Sequence, residues 1–443
     1  LVAGCTRKPQ ENGVGNDSSA LRVSSESRVL SSADKLHIGP ETAGAHRPQD
    51  DVVFSLNGRG VAYIADNSSN QFVVHNDKAG TLFGEISHLK ISPDGRRVSY
   101  ASKLGDYLLM VSDGVVSKPY KDVYDPVYSP DSRHVAFLAE DMDGTMYIVL
   151  DGKPVDYYVN VASADFKFSH DSGMLIYHVR PENNEKAYLV MYNLKTGTKS
   201  VKICLDTTLA INGAKDHLAA VVQENGMQAV ADFSIASPEK VHMSATYDLI
   251  KFISLSRDGN SVAFIAGKNG KIYLVINGRE YLLPGNLAIA GAPILRDDGA
   301  AATVVLESLN GKAPSSDLLY QTGQRFDDSK RFGGIREVVY STAGTLAFVA
   351  KDGDRYFTVI NGKPGPEFDA VVAPMFSPDG RKLVYRAREG AKRLVVIANT
   401  DGTEHRRMPS YEMVFTTSFT DDGKSVAYGV KEGNKLVWKV EKL

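Results

Sequence analysis

Apolar and polar residues alternate at period two along most of this chain, in short runs separated by turn-forming clusters. Val98-Ser99-Tyr100, Val135-Ala136-Phe137, Val262-Ala263-Phe264 and Val426-Ala427-Tyr428 each open such a run. That period predicts strand, not helix. A polar gap follows, then a second apolar run ending in another turn, as in Met146-Tyr147-Ile148-Val149-Leu150-Asp151-Gly152 and Ile272-Tyr273-Leu274-Val275-Ile276-Asn277-Gly278. Ahead of each first run stands a recurring phrase: an apolar residue, Ser, Pro or its stand-in, Asp, Gly. It is cleanest at Ile91-Ser92-Pro93-Asp94-Gly95, Tyr128-Ser129-Pro130-Asp131-Ser132 and Phe376-Ser377-Pro378-Asp379-Gly380. Pro presets φ for a tight turn, Asp tolerates the next position, and Gly supplies the left-handed residue that returns the strand.

Ten stretches align on this phrase, the others centring on Asn57, Asp171, Asn212, Asp258-Gly259, Asp298, Ala343 and Asp422-Gly423. A period near forty residues accommodates four short strands, the size of one propeller blade. The turns and the strands after them resemble the WD40-like β-propeller repeats of the TolB type, whose signature is an F-S-P-D-G hairpin followed by an apolar strand. The resemblance runs from about Asp50 to the C-terminus and is closest around Asp94, Asp131 and Asp379. An inter-blade element, Asn361-Gly362-Lys363-Pro364-Gly365 with Phe368-Asp369-Ala370-Val371, recurs in part at Asp151-Gly152-Lys153-Pro154. The expected fold is all-β: a β-propeller of about ten four-stranded blades over 33–443. A single large ring is favoured, with two smaller rings as the alternative. Asp94, Gly95, Asp131, Asp171, Asp258, Gly259, Asp379, Gly380, Asp422 and Gly423 are read as turn residues, because a catalytic site is normally built once whereas these recur in every blade.

Counting strands leaves the tenth blade one short. Its turn at Asp422-Gly423 is followed by runs ending at Val440, and then the chain stops. Near the other end, Val29-Leu30 and Leu36-His37-Ile38 are the apolar groups between a polar leader and the first blade. An unpaired edge is a liability that folds cover. The segment from about Arg28 to Gly39 is therefore expected to add antiparallel as the outer strand of the tenth blade and close the ring.

Composition narrows the function. A net charge of −2 and a pI near 6.6 give no footprint for nucleic acid. No run of eighteen apolar residues is present in the chain. The two cysteines, Cys5 and Cys204, make no disulfide framework. Cys204 sits in Val201-Lys202-Ile203-Cys204-Leu205 and reads as a small buried hydrophobe. Leu1-Val2-Ala3-Gly4-Cys5 resembles a bacterial lipoprotein lipobox, which implies lipidation of Cys5 and, with Thr6 rather than Asp behind it, outer-membrane sorting. Residues 6–32 are rich in Ser, Gly, Asn and charge and are expected to form a flexible linker. Such a tether spans roughly 28 Å root-mean-square. The protein is thus expected in the cell envelope, lipid-anchored to the outer membrane and facing the periplasm or the cell surface.

Catalytic spacing is scarce. No H-E-x-x-H, G-x-S-x-G or C-x-x-C occurs. Asp422-Gly423-Lys424-Ser425 looks like the end of a phosphate loop, but Ser418 stands where its opening Gly belongs. The ten His residues are scattered, and His134 and His170 lie in or beside turns. Asp141-Met142-Asp143-Gly144 has the flavour of a calcium loop without its closing Glu. No cofactor or metal is expected. Three readings remain: a non-catalytic binding scaffold, a hydrolase or lyase with its site at the channel mouth, and a gating domain for a peptidase. The gating reading ranks last, since the sequence as given ends at Leu443 without an α/β-hydrolase domain. The scaffold reading leads, with envelope proteins or an unidentified ligand as partner, membrane contact through the anchor, and no nucleic acid.

Overall fold

The computed structural model describes residues 26–36, 51–67, 69–182, 186–205, 209–211, 217–285, 287–308, 318–322, 324–325 and 332–443. These form ten antiparallel sheets and no α-helix. Nine are simple meanders in chain order, with first strands at Val52–Phe54, Ile86–Ile91, Asp122–Val123, Val161–Phe168, Leu209–Ile211, Leu249–Leu255, Leu287–Ile289, Gly334–Tyr340 and Ala370–Phe376. We number the blades in that order. In blades 3 and 7 the first strand is broken and resumes at Val127–Tyr128 and Ile294–Leu295. The tenth sheet runs Glu26–Ser32, Lys435–Lys442, Ser425–Glu432, Met413–Phe419. Its outermost strand comes from the other end of the chain.

The register of that closure is antiparallel, from Glu26 opposite Val440 to Ser32 opposite Lys435, with an irregularity between Val29 and Ser31. The strand begins two residues before the expected Arg28 and stops at Ser32. Leu36 then bridges Ala65 of blade 1. The expected linker, 6–32, overlaps the strand over Glu26–Ser32, so the fold begins earlier than residue 33. The reason is that an outermost strand is held by main-chain bonds to one neighbour and needs no apolar period; Glu26, Ser27, Arg28 and Val29 are all exposed. Cys5, the remainder of the linker and the hairpin at Asn212 lie outside the described residues.

Each sheet buries both faces against neighbouring blades. Ten apolar clusters form, and each joins residues of two adjacent blades, so there is one per seam. One cluster joins blade 10 to blade 1 through Phe54, Phe415 and Trp438. Ten seams in unbroken succession make one ring and exclude two smaller ones.

The recurring turn is a small hydrogen-bonded unit. Ser92, Ser129, Ser256 and Ser377 are at most 1% exposed. Each hydroxyl donates to the Asp two residues on, at 2.7 Å for Asp94 and 2.6 Å for Asp131, Asp258 and Asp379. The same oxygen accepts the N–H five residues on, at 2.9–3.0 Å. Ser169 with Asp171 and Thr420 with Asp422 repeat the pattern. Gly95, Gly259, Gly380 and Gly423 take φ of 66–77°, which glycine alone adopts without cost. Ser132 and Ser172 hold that conformation instead, at 65° and 60°. Their hydroxyls accept the N–H of Asp94 and Asp131 from the preceding blade at 3.0 and 3.1 Å. The left-handed strain is offset by a bond between blades.

Candidate functional site

The Ser-x-Asp turns join first strand to second, and the Asn-Gly or Asp-Gly turns join third to fourth, so both sit on one end of the ring. The hairpins between second and third strands, and the connections between blades, sit on the other. The repeat residues read from the sequence therefore gather on one rim, where they knit blade to blade. Asn57 Nδ2 donates to the Asp94 carbonyl at 3.1 Å, and Arg97 Nη1 to that of Ser132 at 3.1 Å.

The opposite rim is polar around most of its circumference. Its hairpins carry Glu224-Asn225-Gly226, Lys268-Asn269-Gly270, Asp352-Gly353-Asp354, Glu389-Gly390-Ala391 and Glu432-Gly433-Asn434. Blades 2 and 3 break the pattern. Leu104 and Tyr107 flank one hairpin, Met142 caps the next, and Tyr157 and Val159 end the outer strand beside it; these five are 41–65% exposed. A cationic group is built into this arc. Lys118 Nζ lies 4.9 Å from the Tyr120 ring and 5.0 Å from the Tyr147 ring, and donates to Asp141 at 2.6 Å. That hydrogen bond holds the ammonium above its ordinary pKa. Tyr147 packs on the exposed Tyr157, with ring centres 6.2 Å apart. Asp141, whose loop had suggested calcium, is thus occupied by a lysine. Clustered exposed aromatics and Met are the composition of interface anchors.

A second set of polar groups lines the central channel, walled by the first strands. His88, Phe252, Glu337 and Ala373 on those strands have φ of 51–56°, uncommon for residues other than glycine. Glu337 Oε2 accepts the N–H of Ala373 in the next blade at 2.5 Å. His88 Nδ1 lies 2.7 Å from Asp125 Oδ1, and Lys90 Nζ 3.2 Å from Asp125 Oδ2, bridging blades 2 and 3. The His88 contact and then Lys90 pull the Asp125 carboxyl down to about 2. In blade 4, Lys167 is exposed on the wall yet surrounded by enough protein that desolvation lowers its ammonium pKa. Behind it His178 is buried, and desolvation lowers its pKa too. An imidazole oriented by a carboxylate can act as a general base if a substrate reaches it. Among the described residues no three His, Cys, Asp or Glu side chains gather as metal ligands.

Sequence reasoning found the hairpins and missed both the arc and the left-handed channel positions. The arc was legible as apolar residues in hairpins that are otherwise Gly, Asn and charge. The channel positions leave no compositional mark.

No family model matches the chain, and no curated relative matches it. Solved propellers resemble its fold. They include TolB from Acinetobacter baumannii (14% identity, 73% of this chain and 80% of that one, TM-score 0.31). An oligogalacturonate lyase from Vibrio parahaemolyticus is similar at 12% identity over 81% and 98%, TM-score 0.34. The propeller domain of the Trilobed protease from Pyrococcus furiosus is similar at 12% over 64% and 94%, TM-score 0.35.

Proposed function

We propose that this chain is a non-catalytic binding propeller held at the cell envelope, where it takes a protein partner on the rim of blades 2 and 3. The observation that carries the reading is the exposed arc of Leu104, Tyr107, Met142, Tyr157 and Val159, where the hairpins of five other blades carry Gly, Asn and charge. The lipobox-like Leu1–Cys5 supports an anchor through Cys5 and an extracytoplasmic location, with envelope proteins as partners. The test is in-cell crosslinking of the full-length protein. Tyr107→Ser, Met142→Ser and Tyr157→Ser together should abolish the crosslinked partner while far-UV circular dichroism stays unchanged. Undiminished crosslinking by the triple variant refutes the rim as the binding face. Cys5→Ala should move the protein from the membrane fraction to the soluble one, and unchanged fractionation removes the anchor.

A second reading, a hydrolase or lyase at the channel mouth, is favoured by one feature. His88 pairs with Asp125 on a wall that also holds left-handed non-glycine residues, and such strain recurs at functional sites. His88→Ala should then abolish ligand turnover while leaving rim crosslinking intact.

A further inference from the structure

A 400 Å³ groove runs along the seam between blades 9 and 10, and the strand that closes the ring forms part of its wall. The third strand of blade 10, Lys435–Lys442, turns Val437 toward blade 9, where it joins the seam cluster. Lys439 and Glu441 follow at period two and face the same way. Ser27 stands opposite Lys439 and extends that wall from the N-terminal strand. Across the seam are Tyr411 and Glu412, on the segment that enters blade 10. Beside them is Lys392, which opens the third strand of blade 9.

The charged side chains of the groove are three lysines and three glutamates. Four of them are paired with each other. Lys431 pairs with Glu412, and Lys439 donates to Glu432 at 2.9 Å and to Ser27 Oγ at 3.0 Å. Lys439 also lies 5.6 Å from the centre of the Tyr411 ring. The other two, Glu441 and Lys392, make no hydrogen bond or ion pair with any described residue. Lys392 is exposed, but Glu441 is only 9% exposed. Desolvation raises the Glu441 pKa, and the cations Arg406 and Lys439 oppose that only in part. An ionised carboxylate so far out of water is costly without a partner.

We infer that this groove binds a short peptide with free ends, its ammonium on Glu441 and its carboxylate on Lys392. The two unpaired charges are opposite in sign, so a zwitterion satisfies both and leaves the groove neutral. Register sets the length of the ligand. Lys435 holds in blade 10 the place of Lys392 in blade 9, each facing a glutamate across its hairpin. Glu441 lies six residues beyond Lys435, which is about 20 Å of strand. Long side chains reach in from both ends and leave about 10 Å, the span of roughly three extended residues. Spread over that length, 400 Å³ gives a section of about 40 Å², close to the roughly 4.7 by 10 Å that an extended chain occupies in packed sheets. Ser27, opposite Lys439, puts a hydroxyl between the two charged ends, where a peptide amide comes to lie. One free carboxylate supplies too few ligands for a metal ion. Because Ser27 belongs to the closing strand, the complete site exists only in the closed ring. It is independent of the rim arc and of the Cys5 anchor.

The test is isothermal titration calorimetry of the full chain with trialanine, its N-acetylated form and its C-terminal amide. Trialanine should bind about tenfold more tightly than either capped form, since each cap removes one charge-assisted contact. Glu441→Gln should weaken trialanine binding about tenfold and leave the acetylated peptide unchanged. Lys392→Gln should weaken trialanine similarly and leave the amide unchanged. Lys392 is exposed, so its replacement leaves the fold intact and decides the matter alone if Glu441→Gln does not fold. Equal binding of free and capped peptides overturns the inference, as does trialanine binding that is absent or unchanged by Lys392→Gln. Binding of 6-aminohexanoate, a linear zwitterion of similar length without amides, as tightly as trialanine also overturns it, by showing that no peptide is required.

Discussion

Replacing Phe54 by Ala removes the ring around which the two ends of the propeller meet. Phe54 is 5% exposed, with ring centres 5.3 Å from Phe415 and 5.8 Å from Trp438. It also lies on Gly429, where any side chain would fall 2.6 Å from the ring. The cost should be about 3–5 kcal/mol, typical of burial lost together with a cavity. Trp438 is the single tryptophan, and its strand bonds the N-terminal one with Arg28 as its opposite residue. Its fluorescence therefore reports the closing seam and nothing else. Urea unfolding followed by fluorescence and by far-UV circular dichroism separates closure from blade unfolding. In Phe54→Ala the fluorescence transition should move to lower urea and precede the circular dichroism one, since repeat arrays unfold piecewise once a seam is weakened. Phe264→Ala, an equally buried ring in the seam between blades 5 and 6, should move both transitions together. The reasoning fails if Phe54→Ala shifts the Trp438 transition by less than about 1 kcal/mol.

Three further outcomes follow from the same geometry. Asp131→Ala removes the carboxylate that accepts from the buried Ser129 hydroxyl at 2.6 Å, leaving it only the His134 carbonyl at 3.4 Å, and should cost about 1–3 kcal/mol in urea unfolding, whereas Asp131→Asn should cost less; equal losses would count against the turn unit. Hydroxyls of Ser169, Ser377 and Thr420 hold Asp171, Asp379 and Asp422 below the ordinary carboxylate range, and the His88 contact takes Asp125 to about 2. Depressed carboxylates stabilise above their unfolded pKa of about 4 and lose that contribution as pH falls through the folded values. The urea midpoint should thus decline between pH 4 and pH 2, and a flat midpoint contradicts it. Phe368→Ala, removing a fully buried ring from the seam between blades 8 and 9, should cost about 3–5 kcal/mol by calorimetry; a loss under about 1 kcal/mol would count against the seam as a source of stability.

The blades were legible because the Ser-x-Asp-Gly turn has few chemical solutions. Buried Ser92 and Ser129 need the carboxylate two residues on, and Gly95 needs a positive φ, so the phrase survives repetition. The clasp was legible by counting strands, but its start was not. Glu26-Ser27-Arg28 reads as linker because an edge strand is fixed by its neighbour's backbone rather than by its own apolar pattern. The rings packed in the seams were harder. Phe83, Tyr120 and Phe368 look like scattered aromatics until the register opposite each third strand is known. The channel pair His88–Asp125, some forty residues apart in sequence, meets only because first strands of adjacent blades run side by side.

The central claim, one ring closed by an N-terminal strand, is tested most directly by a disulfide across the closing register. Ser27 and Lys439 are opposite residues, and Lys439 Nζ already reaches Ser27 Oγ at 3.0 Å. Opposite Cα atoms in an antiparallel pair lie about 4.5–5.5 Å apart, within disulfide range. With Cys5 and Cys204 replaced by Ser, the double variant Ser27→Cys, Lys439→Cys should oxidise readily when folded and not in urea. Closing a loop of 412 residues should then make the denatured chain migrate markedly faster on a non-reducing gel. Free thiols in the folded protein, or only intermolecular dimers, contradict the closed ring.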